Sequence, residues 1–201
     1  PGEAPDTSSG LSALLSPTRV PDLQEAPVSL ASNQTAFTKE QKKAILKEIQ
    51  KHCDNRIEEA EESLQKIDAS NLVTPQNQEH IFTILKEIPQ HAGIDTSYAY
   101  NNLTNLLKTG LITETNQEHI FTILKEIPQH AGRYTYYAYS SLTDLLKIGL
   151  ITETNQEHIF IILKEIPQYA GEHIPACFDS LKGLLQALKQ KNITLNKIDV
   201  N

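Results

Sequence analysis

Seven histidines and two cysteines are the side chains in this 201-residue chain whose types first suggest chemistry. Three of the histidines follow a glutamate, in Glu79-His80, Glu118-His119 and Glu157-His158, and they recur at a spacing of 39. An aligned set of imidazoles and carboxylates invites a metal reading. The pairs lack the second histidine, four residues on, that puts two zinc ligands on one helical face in H-E-x-x-H. Cys53 beside His52 suggests a nucleophile and its base, but neighbours on a helix point about 100° apart and do not face each other. There is no glycine-rich phosphate loop, no Ser-His-Asp order and no separated pair of acids.

The elements that must position these residues explain them better. NQEHIFTILKEIPQ at 77–90 returns unchanged at 116–129, and again at 155–168 with Ile161 in place of threonine. Residues 75–113 and 114–152 are identical at 30 of 39 positions. Shifting back by another 39 aligns AILKEIQKHC (44–53) with TILKEIPQHA (83–92), so four units are expected: 37–74, 75–113, 114–152 and 153–191. In each, Ile81, Phe82, Ile84, Leu85 and Ile88 or their equivalents form one apolar helical stripe, and Ala99, Leu103, Leu106 and Leu107 form a second. The spacing predicts two helices per unit. Thr38 with Gln41 and Thr115 with Glu118 read as capping boxes, and Thr74-Pro75 as an alternative helix start. Pro89, Pro128 and Pro167 are expected to stop or kink the first helix. Gly93, Gly132 and Gly171 precede the second, which should end on left-handed Gly110 and Gly149, with Asn71 in that role in the first unit. In the last unit Leu188 replaces this glycine and a longer, more polar helix is expected to cap the stack.

A two-helix unit with both faces apolar needs neighbours on both sides, which stacking supplies. The fold class expected is therefore all-α. Helical hairpins of about forty residues with a proline in the first helix (Pro89, Pro128, Pro167) resemble the HEAT and armadillo class of α-solenoids over about residues 37–191. That resemblance implies a right-handed superhelical scaffold that binds proteins or peptides along one face. The near-identical repeats in an Ile-, Asn-, Gln- and Lys-rich chain are also similar to some secreted effectors of intracellular bacteria. Residues 1–36 hold five of the ten prolines and read as a disordered arm, with an LxxLL spacing at LSALL (11–15), and 192–201 as a tail.

Stacking also disposes of the chemical candidates. Equivalent residues on stacked helices lie about 10 Å apart, too far to share a zinc with ligand bonds of about 2.0–2.3 Å, so no metal and no cofactor is expected. Cys53 takes the slot of Ala92 and Cys177 that of Ala99, as small core residues. A net charge of -7 speaks against a nucleic-acid partner, and no apolar run is long enough to span a bilayer. Residues 1–20 lack the basic and apolar regions of an export signal. With no Met, even at position 1, the chain is expected to be a processed form or a segment of something longer. The expectation is a cytoplasmic monomer, with secretion into a host cell as the alternative.

Function is then sought where the copies differ. Units two and three differ at Ile94/Arg133, Asp95/Tyr134, Ser97/Tyr136, Asn101/Ser140, Asn102/Ser141 and Asn105/Asp144, mostly on one face of the second helix. Exposed tyrosines are enriched in binding hot spots. The expected partner surface is Arg133, Tyr134, Tyr136 and Tyr137, with Tyr98 and Asn101 from the preceding unit. An enzyme, or a regulatory subunit of one with a pocket assembled from several repeats, is the alternative.

Overall fold

The apolar stripes become helices that pair and stack. The computed structural model describes residues 36–191 and 193, all within one compact unit spanning Asn33–Asn201. The expected arm, apart from Ala36, and most of the tail lie outside the described residues. Among these residues there are eight α-helices and no strand: α1 (Lys39–His52), α2 (Ile57–Asp68), α3 (Gln78–Ala92), α4 (Thr96–Lys108), α5 (Gln117–Ala131), α6 (Thr135–Lys147), α7 (Gln156–Ala170) and α8 (Ile174–Gln190). Each odd-numbered helix folds back on the next even-numbered one through a single 3₁₀ turn. Odd helices then pack on odd and even on even, which makes a two-layered α-solenoid of four hairpins. Its core is continuous, because Ile84, Leu85 and Ile88 of α3 are buried in the same cluster as Leu103 and Leu106 of α4 and Ile120, Ile123 and Leu124 of α5.

Helix starts differ from expectation. Thr38 and Gln41 do form a reciprocal capping box on α1. In the later repeats the helix begins after Asn77, Asn116 or Asn155, and Thr115 and Glu118 form no box. Asn116 instead ties down the loop before it. Its Oδ1 accepts from the Thr113 amide at 2.8 Å and its Nδ2 donates to the Leu111 carbonyl at 2.9 Å, bonds that Asn77 and Asn155 repeat. An asparagine, unlike threonine, can donate and accept across the loop at once. Thr74 likewise lies in this turn, four residues before α3 begins at Gln78.

The prolines stop nothing. The helix runs on to Ala92, Ala131 and Ala170, three residues beyond each one. A proline at 89 removes the amide that would reach the Leu85 carbonyl, and another donor takes its place: the Tyr100 hydroxyl, on α4, donates to Leu85 O at 2.6 Å. Tyr139 does the same for Leu124 O, four residues before Pro128, at 3.0 Å. Tyr100 and Tyr139 thus bond within their own repeats. They are fully buried, and each pins the two helices of its own hairpin together. Burial also pushes both phenols well above their ordinary pKa.

Between helices, Gly93, Gly132 and Gly171 have φ of 53–56°, and Asp54 holds this place in the first repeat, the one non-glycine with positive φ among the described residues. Gly110 and Gly149 are left-handed as expected, but Asn71 is not. The hydroxyl before it keeps the bond of the later repeats, Ser70 donating to the Ile67 carbonyl at 2.6 Å as Thr109 does to Leu106. The last helix is longer, 17 residues against 13 in α6.

Candidate functional site

The histidines sit at the joints between repeats. His80 stacks on Phe121 of the next repeat with ring centroids 4.8 Å apart and planes 4° from parallel, and His119 stacks on Phe160 in the same way. Around His80, Lys125 Nζ lies 2.9 Å from Nδ1 and Glu118 3.5 Å from Nε2. A neutral imidazole with its hydrogen on Nε2 satisfies both neighbours, accepting from the ammonium and facing the carboxylate. His119 keeps the glutamate, Glu157 at 3.8 Å, but its buried Nδ1 has no partner among the described residues. Each Glu-His pair is thus split between two interfaces, the histidine facing forward and the glutamate backward.

The cysteines follow their alanine slots unequally. Cys53 is fully buried, its thiol donating to Thr96 Oγ1 of the next repeat at 3.3 Å, and burial raises its pKa. Cys177 stays half-buried although Ala99 and Ala138 are completely covered, since no further helix among the described residues packs beyond α8.

The variable residues gather where the 3₁₀ turns Asp54–Arg56, Gly93–Asp95, Gly132–Tyr134 and Gly171–His173 stack along one edge of the solenoid. Tyr98, Tyr134 and Tyr137 are exposed, and Tyr136 is half-buried between two of them: its ring lies 5.7 Å from Tyr98 and 4.0 Å from Tyr137. Arg133 extends over Tyr134 at 5.9 Å and reaches back to Asp95 at 3.8 Å. Hydrogen bonding to Tyr137, with desolvation and the charges of Tyr137 and Asp95, pushes the Tyr136 phenol up to about 12. Five of the six residues singled out from the sequence therefore form a contiguous patch. Asn101 is exposed one turn beyond Tyr98 on α4. Ser97, on the supposedly exposed face, is buried.

One member was missed. Arg56 of the first repeat lies over the Tyr98 ring at 5.3 Å, so that a cation–aromatic row, Arg56, Tyr98, Tyr136 and Tyr137, crosses three repeats. A guanidinium within about 6 Å of a ring centroid is attracted to its π-face. The repeat alignment could have found it, since Arg56 stands in the column of Asp95, Tyr134 and His173, where no two copies agree. Rings held by their neighbours lose little entropy on binding, and tyrosine offers both an apolar face and a hydroxyl. Such an edge suits a partner with apolar or acidic side chains. No helix among the described residues is long and apolar enough to cross a membrane. No family model, curated protein or solved structure matches the chain.

Proposed function

We propose that the protein is an interaction scaffold, a solenoid of HEAT or armadillo type that binds a protein or peptide along the edge carrying Arg56, Tyr98, Arg133, Tyr134, Tyr136 and Tyr137. The observation that carries this reading is the row of rings and guanidiniums across three repeats. Arg133, Tyr134 and Tyr136 of this edge are also where the otherwise almost identical second and third repeats have diverged, whereas the phrase that builds their odd helices is the same in both. Aromatic and arginine anchors of this kind dominate interface energetics.

The test is affinity capture with the intact chain and with the Tyr134→Ala, Tyr136→Ala double variant, each captured partner then being titrated against both. The expected result is a loss of affinity of at least about tenfold for the principal partner, or about 1.4 kcal/mol. Unchanged affinity for every partner would sink this assignment of the edge.

A further inference from the structure

Among the described residues, nothing is stacked on the outer face of the fourth repeat. Ile84 and Ile123 are 0% exposed beneath the following repeat, whereas Ile162, at the same position of the phrase, is 46% exposed. Leu184 is 55% exposed where Leu106 and Leu145 are fully buried. Ile166 is half-covered as well, and an open groove of about 410 Å³ runs across it from Ile161 to Cys177.

The substitutions peculiar to this repeat add apolar surface. The one altered letter of the phrase puts Ile161, 60% exposed, where Thr122 is, and Tyr169, 83% exposed, replaces the histidine of the other copies. The opposite end has changed in the other sense. On α1, Lys43 stands in the column of Phe82, Phe121 and Phe160, beside exposed Lys39 and Lys47. That is the polar outer face a terminal repeat needs for solubility.

We propose that the α7–α8 end face pairs two copies of the chain tail to tail about a twofold axis. The face is one more copy of an interface the molecule already forms three times, so its shape and chemistry are those of a surface that packs against helices. A twofold contact matches the same patch on both copies and closes on itself, whereas head-to-tail stacking would set Ile161, Ile162 and Tyr169 against lysines. The four most exposed apolar side chains present on the order of 500 Å², about the largest patch a monomer carries. With the half-covered residues beside them, each copy approaches the roughly 800 Å² per partner of a standard interface. This surface is independent of the tyrosine edge.

Sedimentation equilibrium of the full chain over a concentration series tests it, with the Ile162→Glu variant and the milder Ile161→Thr variant, which restores the residue of the other copies. The expected result is a species of twice the 22.5 kDa chain mass that does not grow further. Ile162→Glu should weaken it at least tenfold and Ile161→Thr less, both with unchanged helical circular dichroism. A monomer at every concentration overturns the proposal and leaves the face to another occupant. Open-ended growth abolished by Lys43→Glu overturns it in favour of head-to-tail stacking, and a dimer indifferent to Ile162→Glu places the contact elsewhere.

Discussion

Ile123 and Ile162 occupy the same place in the same phrase, one sealed inside the stack and the other open at its end. Tyr139 and Phe178 make a second such pair. Both are buried at equivalent positions on the second helix of their hairpins, facing a first helix interrupted by a proline, but only the tyrosine carries a hydroxyl for the carbonyl that the proline strands. In the first repeat the problem does not arise, since Gln50 stands in the proline column and supplies its own amide, and Glu61 stands in the tyrosine column. The interior repeats and the terminal ones thus share a plan and differ in what each residue has to satisfy. In a repeat protein the neighbour sets a side chain's role as much as its own sequence context does.

The largest effect should come from truncating the same isoleucine in the two settings. Ile123→Ala removes a buried side chain from between two repeats and should cost about 2–5 kcal/mol. Ile162→Ala, in the same local sequence, should cost under about 1 kcal/mol in dilute solution, because its side chain is already half in water. Urea midpoints at constant m-value measure both. Equal costs would mean that the fourth repeat is covered in solution even at low concentration.

A smaller and more specific effect is expected where proline and tyrosine meet. Tyr100→Phe leaves the buried Leu85 carbonyl without its donor and should cost about 1–3 kcal/mol. In a Pro89→Ala background the helix regains the amide that reaches the same carbonyl, and the cost of Tyr100→Phe should shrink. The double-mutant cycle therefore predicts a coupling of about 1 kcal/mol between residues whose side chains serve one carbonyl. Strictly additive effects would break the link between the proline and the hydroxyl.

Much of this was legible in the sequence because repetition makes periodicity easy to read. The four units, their two helices, the left-handed Gly110 and Gly149 and the longer final helix all follow from local patterns that stacking only reinforces. Two local rules failed for a tertiary reason. Pro89 ends a helix only if its stranded carbonyl stays stranded, and the rescuing hydroxyl sits 15 residues away in a sequence that gives no pairing signal within one repeat. Thr115 and Glu118 make a capping box only if nothing competes, and Asn116 and His80 both do. The tyrosine patch was legible as a column of disagreement, although Arg56 escaped because the first repeat is too diverged to draw the eye. The open end face was not legible in the fourth repeat's own letters, because Ile162 and Leu184 are exposed or buried according to what packs on α7 and α8.

Phe178→Tyr carries the comparison to its smallest and most exacting form. Pro167 denies an amide to the Leu163 carbonyl and Phe178 offers it no hydroxyl, although these residues stand in the columns of Pro128, Leu124 and Tyr139 one repeat earlier and all three are buried. Adding the hydroxyl should supply the missing donor without new ordering, since the ring is already fixed and buried. The expected gain is about 0.5–1.5 kcal/mol, the net value of one hydrogen bond, read as a rise in the urea midpoint. A loss of stability instead would show that the Leu163 carbonyl already has a partner and that the hydroxyl has been buried without one. That result would make the open end of the solenoid different in backbone chemistry as well as in exposure, and would restrict the proline–tyrosine pairing to repeats covered on both sides.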